Sequence, residues 1–423
     1  MKRRRIRTAW EPRFKLRRIS KLKTFRADFI SVFSCFALIG LFFAGFPQER
    51  LAAQETILES YHRNFIRASL AGKTGILLDA ATDERAGEFI GELYEIALQY
   101  ALVTGRLLRD DPEMISLVAV AARGAGIAGN TDSLESLWEL LGIFQDSHTR
   151  VEILGALGIL GVGNHQIIAK LNQFLYDINS AVRAGHSIDN TFPVLQACIA
   201  ALGALGDESS FPFLFFTMTA GHPQGIIQET LRAIDSIQGN HTAFLIDVIR
   251  NNPFPEKAAA FRLGAYNQRL PLAERAEITR AALEVSLDAD DPVANSLRYD
   301  AITFLTRYRW SPAAPLALRN FYRVQTGYLS GYVPRERLLE AITSLGVMDS
   351  TDAAQSLTLQ LGLINSRTER TGEFEEDIIL AIINALGELG DRVAFDHLLY
   401  ISFLNYPDRV QASAREALNR LRW

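Results

Sequence analysis

One phrase recurs along this chain, and its spacing limits the folds open to it. Gly155-Ala156-Leu157-Gly158-Ile159-Leu160-Gly161, Ala201-Leu202-Gly203-Ala204-Leu205-Gly206-Asp207 and Ala385-Leu386-Gly387-Glu388-Leu389-Gly390-Asp391 are near copies; Ser344-Leu345-Gly346-Val347-Met348-Asp349 is a looser one. An alanine followed by an aliphatic residue extends the series through Ala233-Ile234, Ala301-Ile302, Ala341-Ile342 and Ala417-Leu418. In order, these alanines stand 45, 32, 68, 40, 44 and 32 residues apart, the 68 being two periods with the degenerate Ala265-Tyr266 between them. A period of roughly 30–45 residues made of two helical stretches is the mark of a helical solenoid, where each repeat buries its apolar face only against its neighbours.

Each part of the phrase has a physical reading. The alanine lets two helices approach, and the aliphatic residues enter the shared core. The glycine near the helix end supplies a left-handed cap, and the aspartate caps the next helix. After the phrase comes a first helix, as over 391–403, a turn with Pro407-Asp408, and a second helix over about 409–421. In that second helix Val410, Ala414, Ala417, Leu418 and Leu421 recur at helical spacing. Second helices are expected to begin near Pro112, His148, Thr191, Pro223, Pro255, Pro292, Val333, Glu373 and Pro407. Proline suits a first helical position because its missing N–H had no partner there. Roughly eight or nine repeats are thus expected over 82–423, with a helical N-terminal cap over 54–81. Hydrophobic residues make up 48% of the chain, enough to fill such a core.

The phrase ALGELGD at 385–391, followed by Pro407-Asp408-Arg409-Val410 and Ala414-Arg415-Glu416-Ala417-Leu418, resembles the HEAT repeat in its bacterial short form, similar to phycobilisome-lyase-type repeats. The resemblance is specific there and around 201–234, and weak over 240–330, where Leu-Gly-Asp is missing. It implies an all-α fold, a right-handed α-solenoid of paired antiparallel helices whose second helices line a concave face. It implies protein binding rather than catalysis, and it carries no family-wide catalytic residues.

Charge separates the N-terminus from the rest. Residues 1–53 hold 13 Lys/Arg against 3 Asp/Glu, while the remainder holds 31 against 45. An acidic body repels phosphate backbones, so nucleic acid is not expected as a partner. The basic run is followed by the uncharged apolar stretch FISVFSCFALIGLFFAGF at 29–46 and by Leu51-Ala52-Ala53-Gln54. That is the order of a secretory signal, with cleavage expected after Ala53. Left uncut, residues 29–46 would instead be an inner-membrane anchor and the chain's membrane contact. Either way the body is expected outside the cytoplasm, periplasmic, secreted or held at the envelope.

Motifs of chemistry are sparse. Gly72-Lys73-Thr74 lacks the preceding glycine of a phosphate loop, since Arg67 stands there, and reads as a polar helix-to-helix turn. The seven histidines include no pair at i, i+3 or i, i+4, so no local metal site is expected. His148, His222 and His241 fall at expected turns, as solvated imidazoles. Asp288, Asp290 and Asp291 precede Pro292 as helix caps, and Cys198 reads as a small buried residue. Neither a catalytic residue nor a cofactor is expected. One strip is both basic and aromatic: Arg298, Tyr299, Phe304, Arg307, Tyr308, Arg309, Trp310, Arg319, Phe321, Tyr322, Arg323, Tyr328 and Tyr332. Arginine and large aromatics concentrate binding energy at interfaces. Arg309, Trp310, Arg319 and Tyr322 are therefore the candidate protein-binding residues. The expected function is a non-catalytic scaffold binding another protein or peptide. The competing readings are a lyase-like repeat protein acting on a bound cofactor and a membrane-tethered structural component.

Overall fold

The structure, a computed structural model, describes residues 48–87, 89–186 and 191–422. The apolar stretch 29–46, expected as signal or anchor, lies outside the described residues. Among those described the fold is all-α, with no strand, and no helix is long and apolar enough to cross a membrane. Contacts divide the chain into Met1–Ile57, of which residues 48–57 are described and helical, and Leu58–Trp423.

The helices run in order α1 (Gln48–Arg67), α2 (Leu70–Thr82), α3 (Ile90–Thr104), α4 (Pro112–Ala128), α5 (Leu134–Ile143), α6 (Ser147–Leu160) and α7 (His165–Arg183). Next come α8 (Phe192–Leu205), α9 (Phe211–Met218), α10 (Gln224–Ser236), α11 (Thr242–Asn251), α12 (Phe254–Ala265) and α13 (Leu272–Leu287). The last are α14 (Pro292–Arg307), α15 (Ala314–Leu329), α16 (Arg335–Gly346), α17 (Thr351–Thr371), α18 (Glu376–Leu389), α19 (Phe395–Tyr400) and α20 (Asp408–Asn419). The expected junction after Ala53 falls inside α1. From α3 onward each odd helix packs on the even helix that follows it. The even helices from α2 to α10 also pack in succession on one another, as do those from α12 to α20.

Glycine sets how closely the even helices approach. A Cβ on Gly126 would lie 3.1 Å from Ala156 Cα, on Gly158 2.8 Å from Ala201 Cα, and on Gly203 2.9 Å from Ala233 Cα. Gly346 and Gly387 meet Ala385 and Ala417 in the same way, at 2.9 and 3.2 Å. In α6, α8 and α18 one Ala-x-Gly triplet therefore presents alanine to the preceding even helix and glycine to the next. In α16 the place before Gly346 is taken by buried Ser344, not by the expected Ala341 three residues earlier. The second glycine of the phrase has the other role foreseen for it. Gly206 and Gly390 end α8 and α18 at φ 63° and 65°, and Asp207 and Asp391 then accept from Ser209 N and Val393 N.

Cations close several helix ends. The Nζ of Lys73 donates to Phe65 O and, at 3.2 Å, to Ile66 O at the end of α1. Lys257 Nζ repeats this on Ile249 O (2.6 Å) and Arg250 O (2.9 Å) of α11. Arg275 Nε donates to Ala265 O (2.7 Å) and Arg298 Nη1 to Ser286 O (3.1 Å). Positive charge at these carbonyls is favourable because a helix C-terminus carries partial negative charge. Lys73 therefore stands buried in the first turn of α2, not in a polar turn. His222 is likewise buried rather than solvated, because its Nε2 lies 2.7 Å from Asn179 Oδ1 inside the α7–α9 contact. Cys198 is fully buried, which pushes its thiol pKa up to about 12.

Candidate functional site

The glycine–alanine packing lapses between α10 and α16. Asp235 stands where the register of α8 has Gly203, two residues after the alanine. In α14 the ring of Phe304, three residues beyond the expected Ala301, lies 6.2 Å from that of Tyr266 at the end of α12. Thr306 follows it where glycine would allow close approach. Bulk at these positions keeps the helices apart, and clefts open along the lapse. The smaller, about 780 Å³, lies among Phe211, Asp235, His241, Arg262, Tyr266 and Arg269. The larger, about 1300 Å³, separates α14 from α16 and is floored in part by α15.

The larger cleft has an apolar floor and a charged wall. Ile302, Val324, Val333 and Leu339 line it with Thr303, Thr306, Asn320 and Ser344. Four arginines, Arg298, Arg307, Arg323 and Arg337, face three carboxylates, Asp290, Asp300 and Glu340. Most are held by neighbours. Arg337 lies over the Tyr299 ring, 3.1 Å from its centroid, and its Nη1 reaches Glu340 at 3.0 Å, an oxygen that also accepts from the Tyr299 hydroxyl. Arg323 donates to Leu287 O (3.1 Å), Ala289 O (3.2 Å) and Asp290. Arg298 is bound to Ser286 O and, at 2.6 Å, to Asn295 Oδ1. Burial first, and then the charge of Arg323, hold the Arg298 guanidinium's pKa below its ordinary value. Asp290 is hydrogen-bonded to Arg323 and acts on Arg298 only through its charge. Arg307 is exposed, touches the Tyr308 ring face, and has no carboxylate partner among the described residues.

The four residues singled out from sequence lie elsewhere. Arg309, at φ 50°, follows α14 and pairs with Glu388 of α18 at 3.2 Å. Trp310 is half-buried against the core, its Nε1 without a hydrogen-bond partner among the described residues. Arg319 pairs with Asp288 (2.7 Å), and the Tyr322 hydroxyl donates to Ser356 Oγ (2.9 Å). None of the four lines the cleft, whereas Arg298, Tyr299, Arg307, Arg323 and Tyr332 of the same strip do. The α16 wall, with Arg337, Glu340 and Ser344, is outside the strip. On the α14 side the sequence signal was the missing Leu-Gly-Asp phrase over 240–330, where small contact residues give way to large ones, whereas α16 keeps Ser344-Leu345-Gly346. Asp291 is the cap of α14, accepting from Val293 N and Ala294 N, while Asp288 and Asp290 serve as partners of Arg319 and Arg323. Among the described residues no cluster of His, Cys, Asp and Glu could hold a metal ion.

No family model matches the chain, and no curated protein matches it. Among solved structures, the crystal structure of an engineered protein is similar over 86% of this chain and 98% of that one, at 15% identity and a TM-score of 0.33.

Proposed function

We propose that the chain is a non-catalytic scaffold of HEAT-like repeats, a right-handed α-solenoid of paired antiparallel helices, acting outside the cytoplasm by binding another protein or peptide. Each odd helix from α3 packing on the even helix after it, with the even helices stacked in succession from α2 to α10 and from α12 to α20, supports the solenoid reading. The basic, then apolar, then Ala-Ala order of residues 1–53 supports export or tethering.

The observation that carries the binding reading is the α14–α16 cleft. Where Gly346 meets Ala385 the gap between α16 and α18 holds about 470 Å³, whereas the gap between α14 and α16, which has no such glycine contact, holds about 1300 Å³. The larger gap is lined by arginine, tyrosine and hydrogen-bonding side chains. Their guanidinium groups are already oriented by backbone carbonyls and a ring face, so little side-chain entropy is lost when a partner arrives.

The test is capture of partners from an envelope fraction by the full-length chain and by Thr303→Trp, which fills the cleft from an exposed position on α14. A specific partner is expected with the parent chain and should be lost with the variant. Equal capture by both would move the binding site off the cleft, and turnover of a small substrate would overturn the scaffold reading.

A further inference from the structure

Building on the scaffold reading, we propose that the α14–α16 cleft takes an extended acidic segment of a partner protein, its apolar side chains on the floor and its carboxylates against Arg307, Arg298 and Arg323. Three features of the cleft select that occupant: its charge, its length and its floor.

Charge comes first. Glu340 is committed to Arg337 and Tyr299, and Asp290 to Arg323. Burial first, and then the charge of Asp300, raise the pKa of the Tyr266 phenol at the end of α12, so that carboxylate lies on the α12 side of α14. Arg307 is left without a carboxylate among the described residues, and Arg298 has only carbonyl and amide oxygens. The wall is locally positive on a body that is otherwise acidic, with 31 Lys/Arg against 45 Asp/Glu beyond residue 53. Arginine binds carboxylates with two parallel hydrogen bonds, which makes it the suited cation for this recognition. The chain's own basic N-terminal segment carries the wrong sign to occupy the site.

Length and floor then separate a peptide from a small anion. The lining on α14 runs from Asn295 to Arg307, about 18 Å at the helical rise. An extended chain covers that distance in about five or six residues. Ile302, Val324, Val333 and Leu339 give such a chain apolar contact, which inorganic phosphate or a lone carboxylate would not use. Tyr332, 88% exposed on the rim, offers a large ring that the fold itself leaves uncovered.

The experiment uses the full-length chain in detergent and two fluorescent peptides of about eight residues, long enough for the groove. One alternates Glu with Leu and the other Lys with Leu. Fluorescence anisotropy should show saturable binding of the Glu–Leu peptide and affinity for the Lys–Leu peptide at least about tenfold weaker. Arg307→Ala should weaken the Glu–Leu peptide about tenfold, and Thr303→Trp should abolish its binding. Arg392→Ala, at an exposed arginine in the turn between α18 and α19, should leave it unchanged. Equal affinity for both peptides, indifference to Arg307→Ala, or no binding of the Glu–Leu peptide would each overturn the acidic-segment assignment. Capture from the envelope fraction decides the scaffold reading separately. A partner lost with Thr303→Trp there would keep the cleft as the site even if the acidic peptide failed.

Discussion

Arg309 Nη2 stands 3.2 Å from Glu388 Oε2, joining the end of α14 to the end of α18 past α16, the even helix between them. Glu388 also receives Arg420 from the end of α20, again at 3.2 Å, so one carboxylate gathers three even helices. To reach it, Arg309 adopts φ 50°, a left-handed conformation that glycine takes freely and other residues do not. Both side chains are largely exposed, and exposed ion pairs contribute only about 0–1 kcal/mol. Arg309→Ala should therefore cost less than about 1 kcal/mol. Arg309→Gly should be more stable than Arg309→Ala by about 1 kcal/mol, because it relieves the backbone while losing the same pair. Urea unfolding of the two variants separates the contributions. An alanine variant as stable as the glycine variant would show that the left-handed turn is not strained.

Two glycines one turn apart on α6 should respond with opposite signs. A Cβ on Gly158 would meet Ala201 Cα at 2.8 Å, and that atom is backbone, which cannot swing aside. Gly158→Ala should destabilise by about 1–3 kcal/mol through forced separation of α6 and α8. Gly155 is exposed and has nothing within 4 Å of such a Cβ. Gly155→Ala should stabilise by about 0.5–1 kcal/mol, the usual helix-interior difference. Denaturation midpoints moving in the same direction would mean that the two even helices are not in contact through Gly158.

The recurring phrase announced helices, and helices do begin within three residues of every expected second-helix start from Pro112 to Pro407. Gly206 and Gly390 could be foreseen as left-handed caps because a glycine before an aspartate at a helix end has few other uses. The exact contact residues were less visible. Ala301 and Ala341 are buried as expected, but the ring of Phe304, three residues beyond Ala301, meets Tyr266, and Ser344 stands two residues before Gly346, in the place that alanine takes in α6, α8 and α18. The cleft was harder still, because it results from what α14 and α16 fail to do together. Arg309 and Arg319 carry the expected interface chemistry, but Glu388 and Asp288, distant in sequence, already engage them.

Acid should loosen the middle of the array before the carboxylates titrate. His222 Nε2 faces Asn179 Oδ1, and Asn179 Nδ2 donates to Thr217 Oγ1 at 2.7 Å, so the ring must donate from Nε2. Its buried Nδ1 has no partner among the described residues, and a proton there would be buried unpaired. Burial lowers the pKa of His222, and of His241 stacked on Phe211, below the ordinary 6.5. Between that value and the lower folded pKa, the unfolded chain binds more protons than the folded one, so stability falls as pH falls. Unfolding midpoints should drop as pH goes from about 7 to about 5.5, and the drop should shrink in the double variant His222→Gln, His241→Gln. An unchanged slope in that variant would place the titrating groups elsewhere.

The buried lysines give the largest predicted losses. Lysine is normally read as a solvated residue, but Lys73 and Lys257 each turn an ammonium back onto the last carbonyls of the preceding helix, eight residues earlier in both cases. Lys73 also lies between the rings of Phe65 and Tyr100, 4.7 and 4.8 Å from their centroids. Burial lowers both ammonium pKa values, so desolvation opposes the charge. The hydrogen bonds to carbonyls, and for Lys73 the ring faces, offset it. Methionine keeps the apolar stem and removes the donor, leaving Phe65 O and Ile66 O, or Ile249 O and Arg250 O, without that partner. Each substitution, Lys73→Met or Lys257→Met, should cost about 2–3 kcal/mol, the range for a lost charged hydrogen bond with its acceptor left buried. Lys170 is the contrast: it reaches Glu135 at 2.8 Å across an exposed surface, and Lys170→Met should cost less than about 1 kcal/mol. Equilibrium unfolding of the three variants provides the ranking. Losses for Lys73→Met and Lys257→Met no larger than for Lys170→Met would mean that water reaches those helix ends and that the ammonium groups do not close them.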